Sequence, residues 1–227
     1  MEGSVLFIGG TGTISWWCVK AAQAAGWSVS LVGRGLSQVR PLPEGVEWIK
    51  ADVTDSAALA AALDGRAFDV VADFLSFEVG RLRRNVELLA GRIGQYIFIS
   101  SASAYQKPVA ALPITESTPL VNPFWQYSRD KIACEDHLVG LVRRDGFPAT
   151  IVRPSHTYDA PMSVTPGGWT DVARMRRGRP VVVPGDGTSL WTLTHASDFA
   201  YCFVPLFADR RAIGNTFHIT GDEVLTW

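Results

Sequence analysis

The sequence predicts an α/β fold in which a doubly wound parallel sheet carries helices on both faces. Short apolar runs alternate with helical patterns along the chain. Runs such as Phe68–Asp73 and Tyr96–Ser100 are rich in β-branched and aromatic residues, which is typical of strands buried on both sides. With 227 residues, 47% of them hydrophobic and 19% charged, the chain can bury a substantial core.

Each element follows from a local pattern. The first helix stops at Gly26, which suits the position after a helix end, and Asp55 is placed to cap the second helix. The predicted strands are Val5–Gly9, Ser28–Val32, Val46–Ala51, Phe68–Asp73, Tyr96–Ser100, Ala149–Arg153 and Thr216–Thr220, and the predicted helices are Gly12–Ala25, Asp55–Leu63, Val79–Gly91 and Gln126–Arg144.

Charge and cysteine content argue against several classes of protein. The net charge is −1 with both signs interspersed, so no basic surface for nucleic acid or an anionic membrane is expected, and a small-molecule partner is favoured. The N-terminus lacks the pattern of a secretory signal, and no apolar run approaches the roughly 20 residues of a membrane span. Cys18, Cys134 and Cys202 are widely spaced without a CxxC pair, which predicts reduced thiols in a cytoplasmic protein and no metal site.

A glycine-rich turn joins the first strand to the first helix. Its spacing is Gly9-x-x-Gly12-x-x-Ser15, with a small serine where a third glycine often stands. A turn at this place brings the backbone close to a pyrophosphate and points the helix N-terminus at the anion. The alternative is an ordinary structural turn. The residues predicted to contact the cofactor here are Gly9, Thr11, Gly12, Thr13 and Ile14.

The end of the second strand distinguishes between nicotinamide cofactors. An NAD site usually places a carboxylate there for the ribose hydroxyls, but this chain reads Val32-Gly33-Arg34-Gly35. Arg34 can pair with a 2′-phosphate, so NADP is favoured and NAD remains possible; the alternative is an ordinary solvated arginine. Asp52, after the third strand, is predicted to accept from the adenine amino group, although it is also placed to cap a helix.

A tyrosine and a lysine four residues apart suggest a catalytic pair. Tyr127 and Lys131 share one face of a predicted helix, and Ser101 stands at the end of the preceding strand. A lysine ammonium beside a phenol is expected to favour the phenolate and to let the tyrosine exchange a proton near neutral pH. The order of strand end, hydroxyl and Tyr/Lys helix is the order that hydride-transfer chemistry needs.

Taken together, these motifs resemble the short-chain dehydrogenase/reductase superfamily. The segments that carry the likeness are GGTGTIS, the Asp52 segment, ISSASAY, YSRDK, IVRPSHTY and GDG…H..D. The closer likeness is to the extended and atypical branch, the NAD-dependent epimerase/dehydratase family, and it implies a Rossmann-type sheet. The resemblance implies that Ser101 is the catalytic serine, Tyr127 the acid/base and Lys131 the tyrosine modulator and ribose ligand. Further cofactor contacts are expected at Val53, Phe74, Pro154 and His156.

The chain is predicted to divide near residue 155. Residues 1–155 form the dinucleotide-binding Rossmann domain, and residues 156–227 form a mixed segment, part substrate lobe and part last sheet strand. The loop-rich character of the second segment suits a ligand-binding edge. Its final residues, Gly221–Trp227, look like the start of a helix, so we expect an incomplete substrate lobe. Apolar surface around 164–169 and 190–193 is then expected to be exposed, which favours a homodimer.

Departures from the family pattern narrow the expected chemistry. Ala102-Ser103 stands where the dehydratases carry Asp-Glu, which disfavours dehydration. Trp191 stands where sugar-nucleotide enzymes usually place an arginine for the diphosphate, and the alternative is that Arg174 or Arg179 takes over this role. The active-site asparagine of many relatives has no clear counterpart, since Ser76 occupies the nearest position and Asn85 lies too close. The candidate substrate residues are Trp125, His156, Trp169 and Trp191; for His156 and Trp169 the alternative is loop packing without a chemical role.

The leading hypothesis is an oxidoreductase or epimerase that acts on a polyhydroxylated small molecule such as a sugar derivative. The residues do not decide between an epimerase and a one-way reductase. The alternative from another class is a non-catalytic dinucleotide-binding regulator, against which the retained Tyr127 and Lys131 speak. A third reading, an RNA-binding protein, is opposed by the balanced charge.

Overall fold

A computed structural model describes residues 3–37 and 39–227. Its strands are β1 (Ser4–Ile8), β2 (Ser28–Gly33), β3 (Glu47–Lys50), β4 (Phe68–Asp73), β5 (Ile93–Ile99), β6 (Ala149–Pro154), β7 (His156–Tyr158), β8 (Leu190–His195), β9 (Thr216–Ile219) and β10 (Val224–Thr226). Its helices are α1 (Thr13–Ala24), α2 (Ser56–Ala62), α3 (Val79–Leu89), α4 (Gln126–Asp145), α5 (Trp169–Met175) and α6 (Ala196–Phe203).

Seven parallel strands form the central sheet in the order β3-β2-β1-β4-β5-β6-β9. The chain first builds outward from β1 to β3 and then returns to place β4 on the other side of β1. The carboxyl ends of β1 and β4 therefore flank the point where the strand order reverses, which is where ligands bind in open α/β sheets. The predicted fold class is confirmed, and β9 joins this sheet from the second predicted segment.

Helices cover both faces of the sheet. On one face α1 and α6 pack over a cluster that includes Phe7, Phe199 and Phe203, and on the other α2, α3 and α4 cover a second cluster. Cys18 is fully buried in the first cluster, as predicted. Asp55 caps α2 by accepting from the amides of residues 57 and 58, which confirms its predicted role. Within the described residues, no helix has the length and apolarity of a membrane span.

A smaller sheet in the order β10-β8-β7 lies beside the main one. The predicted helix at the chain end is wrong, because Val224–Thr226 pairs antiparallel with Leu190–Thr192. Valine and threonine are β-branched and favour extended backbone, and β8 offers its open edge to them. The prediction of loops between 156 and 195 is also incomplete, since this segment contains β7, α5 and β8.

Candidate functional site

A cavity of about 650 Å³ opens at the carboxyl edge of the main sheet. The glycine-rich turn forms one end of it, and the N-terminal half of α4 contributes to its wall. The predicted site residues that line this cavity are Gly9, Thr11, Gly12, Thr13, Ile14, Arg34, Phe74, Tyr127, Lys131 and Pro154. The structure thus brings together most of the residues predicted to contact the cofactor and two of the three predicted catalytic residues.

The turn after β1 is shaped for close approach of an anion. Gly9 has a φ of +84°, and a Cβ at this position would stand 2.4 Å from Leu75 Cγ. The amide of Gly12 donates to Ser15 Oγ at 3.0 Å, so the serine in place of a third glycine closes the turn. The first turn of α1 carries no acidic residue and no side-chain cap on its amides. Because those amides and the helix dipole favour negative charge, the turn fits the pyrophosphate of a dinucleotide.

The cavity rim beyond β2 carries Arg34, whose exposed side chain lines the opening. Asp52 lies outside the lining and forms a local turn, accepting from the amide and the hydroxyl of Thr54 at 2.9 and 2.7 Å. These hydrogen bonds lower the pKa of Asp52, with a smaller contribution from Arg34. Val53 is buried in the core beside α2 and also lies outside the lining.

Lys131 is the most deeply buried cation of the site, with 1% of its surface exposed. Its Nζ donates to the carbonyl oxygens of Ser76 and Ile99 at 2.9 and 2.7 Å. The rings of Phe77 and Phe98 lie 4.9 and 4.7 Å from the ammonium. Burial lowers the pKa of Lys131 to about 8, because the charged form loses its hydration.

Tyr127 is half-buried, and burial raises its pKa, while a hydrogen bond with Ser101 lowers it in part. Lys131 is not among the groups that shift the pKa of Tyr127 here, so the expectation that Lys131 favours the phenolate stays a prediction. The ammonium is directed at two backbone carbonyls and lies 5.8 Å from the Tyr127 ring centre. The neutral phenol, a proton donor, is the favoured form near neutral pH.

Sequence reasoning missed a chain of polar groups that holds the Ser101 loop against α4. Ser101 Oγ donates to Ser103 Oγ at 2.9 Å, and Ser128 Oγ donates to the same atom at 2.9 Å. Asn122 Nδ2 donates to the Ser103 carbonyl at 2.8 Å. The only signal in the sequence was Ser103 itself, at the position where dehydratases carry an acid. Here that position serves a structural hydrogen bond.

Arg40 is a second residue that the sequence did not single out. Its guanidinium binds both carboxylate oxygens of Asp159, at 2.7 and 2.8 Å, and donates to Thr13 Oγ1 at 3.2 Å. The side chain of Asp159 is 2% exposed and that of Arg40 is 12% exposed. We call this group of three residues the clasp. It joins the loop after β2, the glycine-rich turn and the segment after β7.

His156 and Trp191 lie outside the cavity lining and pack on each other, with ring centres 5.1 Å apart. Burial lowers the pKa of His156. Trp125, in contrast, lies 4.8 Å from the Tyr127 ring and is 55% exposed. Trp169 is equally exposed, and its indole N–H donates to the carbonyl of Ala160. Of these four residues, Trp125 packs on Tyr127 of the cavity wall.

A buried ion pair stands behind the site. Arg153 at the end of β6 binds Glu135 on α4, with Nη2 2.5 Å from Oε2, and both side chains are at most 6% exposed. Ser100, which lines the cavity, donates its hydroxyl to the same carboxylate. This pair joins α4 to the ends of β5 and β6. Among the described residues, no group of three or more His, Cys, Asp or Glu side chains is arranged to hold a metal ion.

Comparison with known proteins adds to this geometry. The sequence profile of the NAD-dependent epimerase/dehydratase family matches residues 5–219. The chain belongs to this family. The resemblance inferred from the motifs is confirmed, and the nicotinamide dinucleotide in the family's name fits the anion-binding turn and the cleft beside it.

Two curated relatives are similar in sequence to this chain. It is 28% identical over 229 residues to 2′-dehydrokanamycin reductase of Streptomyces kanamyceticus, covering 98% of this chain and 63% of that one. It is 29% identical over 238 residues to a chloroplast stem-loop binding protein of 41 kDa from Arabidopsis thaliana, covering 100% of this chain and 61% of that one. The chain thus spans about three fifths of the length of either relative.

A solved structure shows the same fold. The UDP-glucuronic acid 4-epimerase of Bacillus cereus, in complex with UDP-glucuronic acid and NAD, superimposes with a TM-score of 0.77 at 19% identity. The superposition covers 98% of this chain and 79% of the epimerase.

Proposed function

We propose that the protein binds NADP and transfers a hydride to or from a hydroxyl-bearing carbon of a sugar-like small molecule, with Ser101, Tyr127 and Lys131 as its catalytic centre. The observation that carries the proposal is the shared cavity. Tyr127 and Lys131 line the same cleft as the glycine-rich turn, and Ser101 is close enough to Tyr127 to lower its pKa in part. Family membership and the named reductase activity of one relative support it.

In the direction of carbonyl reduction, Tyr127 is the proposed proton donor. When bound, the nicotinamide supplies or accepts the hydride. The raised pKa of Tyr127 keeps it a neutral phenol, which donates its proton to the carbonyl oxygen of the substrate while the adjacent carbon is reduced. Ser101 hydrogen-bonds to the same oxygen. The positive charge of the Lys131 ammonium offsets the negative charge of the phenolate that forms. In the opposite direction, which an epimerase requires in its first half-reaction, Tyr127 would take the proton of the alcohol and the bound nicotinamide would accept the hydride.

The substrate is proposed to be a polyhydroxylated ring rather than a nucleoside diphosphate. Trp125 is half exposed beside Tyr127 and offers a flat apolar wall to a sugar ring. The position at which sugar-nucleotide enzymes carry an arginine holds Trp191, which packs on His156 away from the cavity. His156 and Trp169 stay weaker candidates for substrate contact.

Replacement of Tyr127 by phenylalanine tests the centre. We expect Tyr127→Phe to abolish turnover of NADPH with a panel of keto-sugars, since the proton donor is lost, and to leave NADPH binding nearly intact. Turnover is followed by nicotinamide absorbance and binding by fluorescence titration. Tyr201→Phe is the matched control, because Tyr201 is 81% exposed on α6. Turnover retained in Tyr127→Phe would contradict the proposal.

The choice between epimerase and reductase can be tested on the purified protein. Mass spectrometry of the material that co-purifies reports whether the cofactor is held. An epimerase must return the hydride to the same substrate and is expected to retain its dinucleotide, whereas a reductase exchanges it. A non-catalytic regulator would bind dinucleotide and turn over nothing, and the paired Tyr127 and Lys131 in the cavity wall favour the enzyme.

Nucleic-acid binding is a second candidate function, favoured by the stem-loop binding named for the Arabidopsis relative. The net charge of −1 opposes it, because phosphate contacts need a basic surface. Fluorescence anisotropy with a stem-loop RNA at two salt concentrations decides between the readings. Binding that weakens with salt supports this second candidate, and the absence of binding leaves the oxidoreductase.

Two further expectations stay proposals. The three cysteines are free, with Cys18 and Cys134 buried and Cys202 exposed, which supports a reducing, cytoplasmic location. Trp169 and Leu190 are 55% and 58% exposed, which supports a homodimer through this surface.

A further inference from the structure

A buried carboxylate outside the Ser–Tyr–Lys group stands at the end of β4. Asp73 has no exposed surface. Its Oδ1 accepts from the amides of Leu75 and Ser76, both at 2.9 Å. Its Oδ2 accepts from Ser76 Oγ at 2.6 Å, from Asn85 Nδ2 at 2.9 Å and from the hydroxyl of Tyr96. Burial and the neighbouring Asp73 raise the pKa of Tyr96, so Tyr96 stays a phenol and donates.

The turn that Asp73 fixes also holds Lys131. Ser76 binds Asp73 through both its amide and its hydroxyl, and its carbonyl oxygen accepts from Lys131 Nζ at 2.9 Å. Both donors of Ser76 are thus held by one carboxylate while its acceptor faces the lysine. The orientation of this carbonyl therefore depends on Asp73.

The charges around Lys131 also point to Asp73. On α4 itself, Glu135 is paired with Arg153, and burial raises the pKa of Cys134 to about 12 and keeps it neutral. On the sheet side, the charge of Asp73 raises the pKa of Lys131 more than any other group does. Among the described residues, the groups that hydrogen-bond to Asp73 are all neutral. Asp73 is thus the acid near Lys131 that no cation offsets through a direct contact.

We propose that Asp73 is a positioning residue for Lys131, which orients the Ser76 carbonyl toward the ammonium and supplies the negative charge that this buried cation faces. The inference deepens the proposed function, on which it rests for the role of Lys131. Asp73 itself does not line the cavity and acts through Ser76 and through its charge. The network also explains Asn85, which is buried against Asp73 rather than directed at the cavity.

The test is a titration of Lys131 in the unliganded protein. The chain has only four lysines, so the ¹³Cε signal of each can be resolved after lysine labelling and assigned by replacement. We expect Asp73→Asn to lower the pKa of Lys131 by about one unit or more, a roughly tenfold loss of proton affinity, since an opposite charge is removed while the side-chain shape is kept. Asp69→Asn is the matched control. It removes an exposed charge from the other end of β4 and is expected to leave Lys131 unchanged.

The opposite results overturn the inference. If Asp73 were only a packing element, its replacement would loosen the turn and hydrate Lys131, and the pKa would rise toward its ordinary value. An unchanged pKa would equally contradict the proposal. Tyr96→Phe keeps the charge of Asp73 and removes one of its five hydrogen bonds, so the pKa of Lys131 is expected to stay near its wild-type value. A fall of about one unit or more in Tyr96→Phe would show that the hydrogen bonds rather than the charge of Asp73 govern Lys131, and would contradict the inference even where Asp73→Asn does not fold.

This readout is independent of catalysis. Should the wild-type protein transfer no hydride, the titration still decides whether Asp73 governs Lys131. If Tyr127→Phe loses turnover as proposed but Asp73→Asn does not lower the pKa of Lys131, only the role of Asp73 is contradicted.

Discussion

At the scale of single residues, Arg34 is the exposed cation on the cavity rim at the end of β2. We expect NADPH to bind more tightly than NADH, because the guanidinium fork pairs with the 2′-phosphate that only NADPH carries. Arg34→Ala should shrink this difference by roughly 1–3 kcal/mol, the scale of a charge-assisted hydrogen bond. Fluorescence titration with both cofactors measures it. Arg210→Ala, at an exposed residue before β9, is the control, and equal wild-type affinities would contradict the prediction.

The sequence predicts a site residue where the site needs a particular side chain or a particular backbone conformation. Gly9 was predicted because a tight turn that approaches a pyrophosphate needs glycine, and Tyr127 and Lys131 because residues four apart share one face of a helix. Ser76 escaped prediction because it contributes a backbone carbonyl, which every residue type has. Arg40 escaped because its partner Asp159 is 119 positions away, and no local pattern encodes that separation.

At the scale of elements, the ion pair of Arg153 and Glu135 fixes α4 to β6. Arg153→Met is expected to destabilise the fold by about 3–5 kcal/mol, because Glu135 is left as an unpaired buried charge. The double variant Arg153→Met/Glu135→Leu should recover most of this loss. Chemical denaturation followed by tryptophan fluorescence gives the free energy of unfolding.

The control for this prediction is the exposed pair of Arg211 and Asp209. The side chain of Arg211 is 91% exposed, so Arg211→Met should change the free energy of unfolding by at most about 1 kcal/mol. A double variant of Arg153 and Glu135 as unstable as the single one would contradict the account.

Strands were predictable where burial is two-sided. Phe68–Asp73 was predicted to the residue, whereas β5 begins three positions earlier than expected, at Ile93 instead of Tyr96. The signal was masked by Gly94 and Gln95, residues that are rare in strands. Gly94 is required because a Cβ would stand 2.7 Å from the Asp69 carbonyl of β4, and Gln95 is buried with its amide bound to Thr150. The strands β7 and β10 have only three residues each, and β7, β8 and β10 together contain a single buried residue, so their apolar pattern is weak.

At the scale of the whole molecule, the clasp of Arg40, Asp159 and Thr13 joins three parts of the chain around the cavity. Arg40→Met is expected to speed dinucleotide dissociation by roughly tenfold, equivalent to about 1.4 kcal/mol, because the loop after β2 loses its tie to the phosphate turn. Stopped-flow fluorescence measures the rate. Arg66→Met, which removes an exposed ion pair with Glu47, is the control. An unchanged rate in Arg40→Met would show that the clasp does not retain the cofactor.

The position of β9 has a consequence for synthesis on the ribosome. The cofactor cleft is built by residues that are translated early, but the sheet beneath it is completed by Thr216–Ile219, and α1 is covered by Phe199 and Phe203 of α6. A nascent chain released as far as residue 155 has an open sheet edge at β6 and an uncovered apolar face on α1. We therefore expect the core to close only after the last quarter of these residues has been translated, so that apolar surface stays exposed until then.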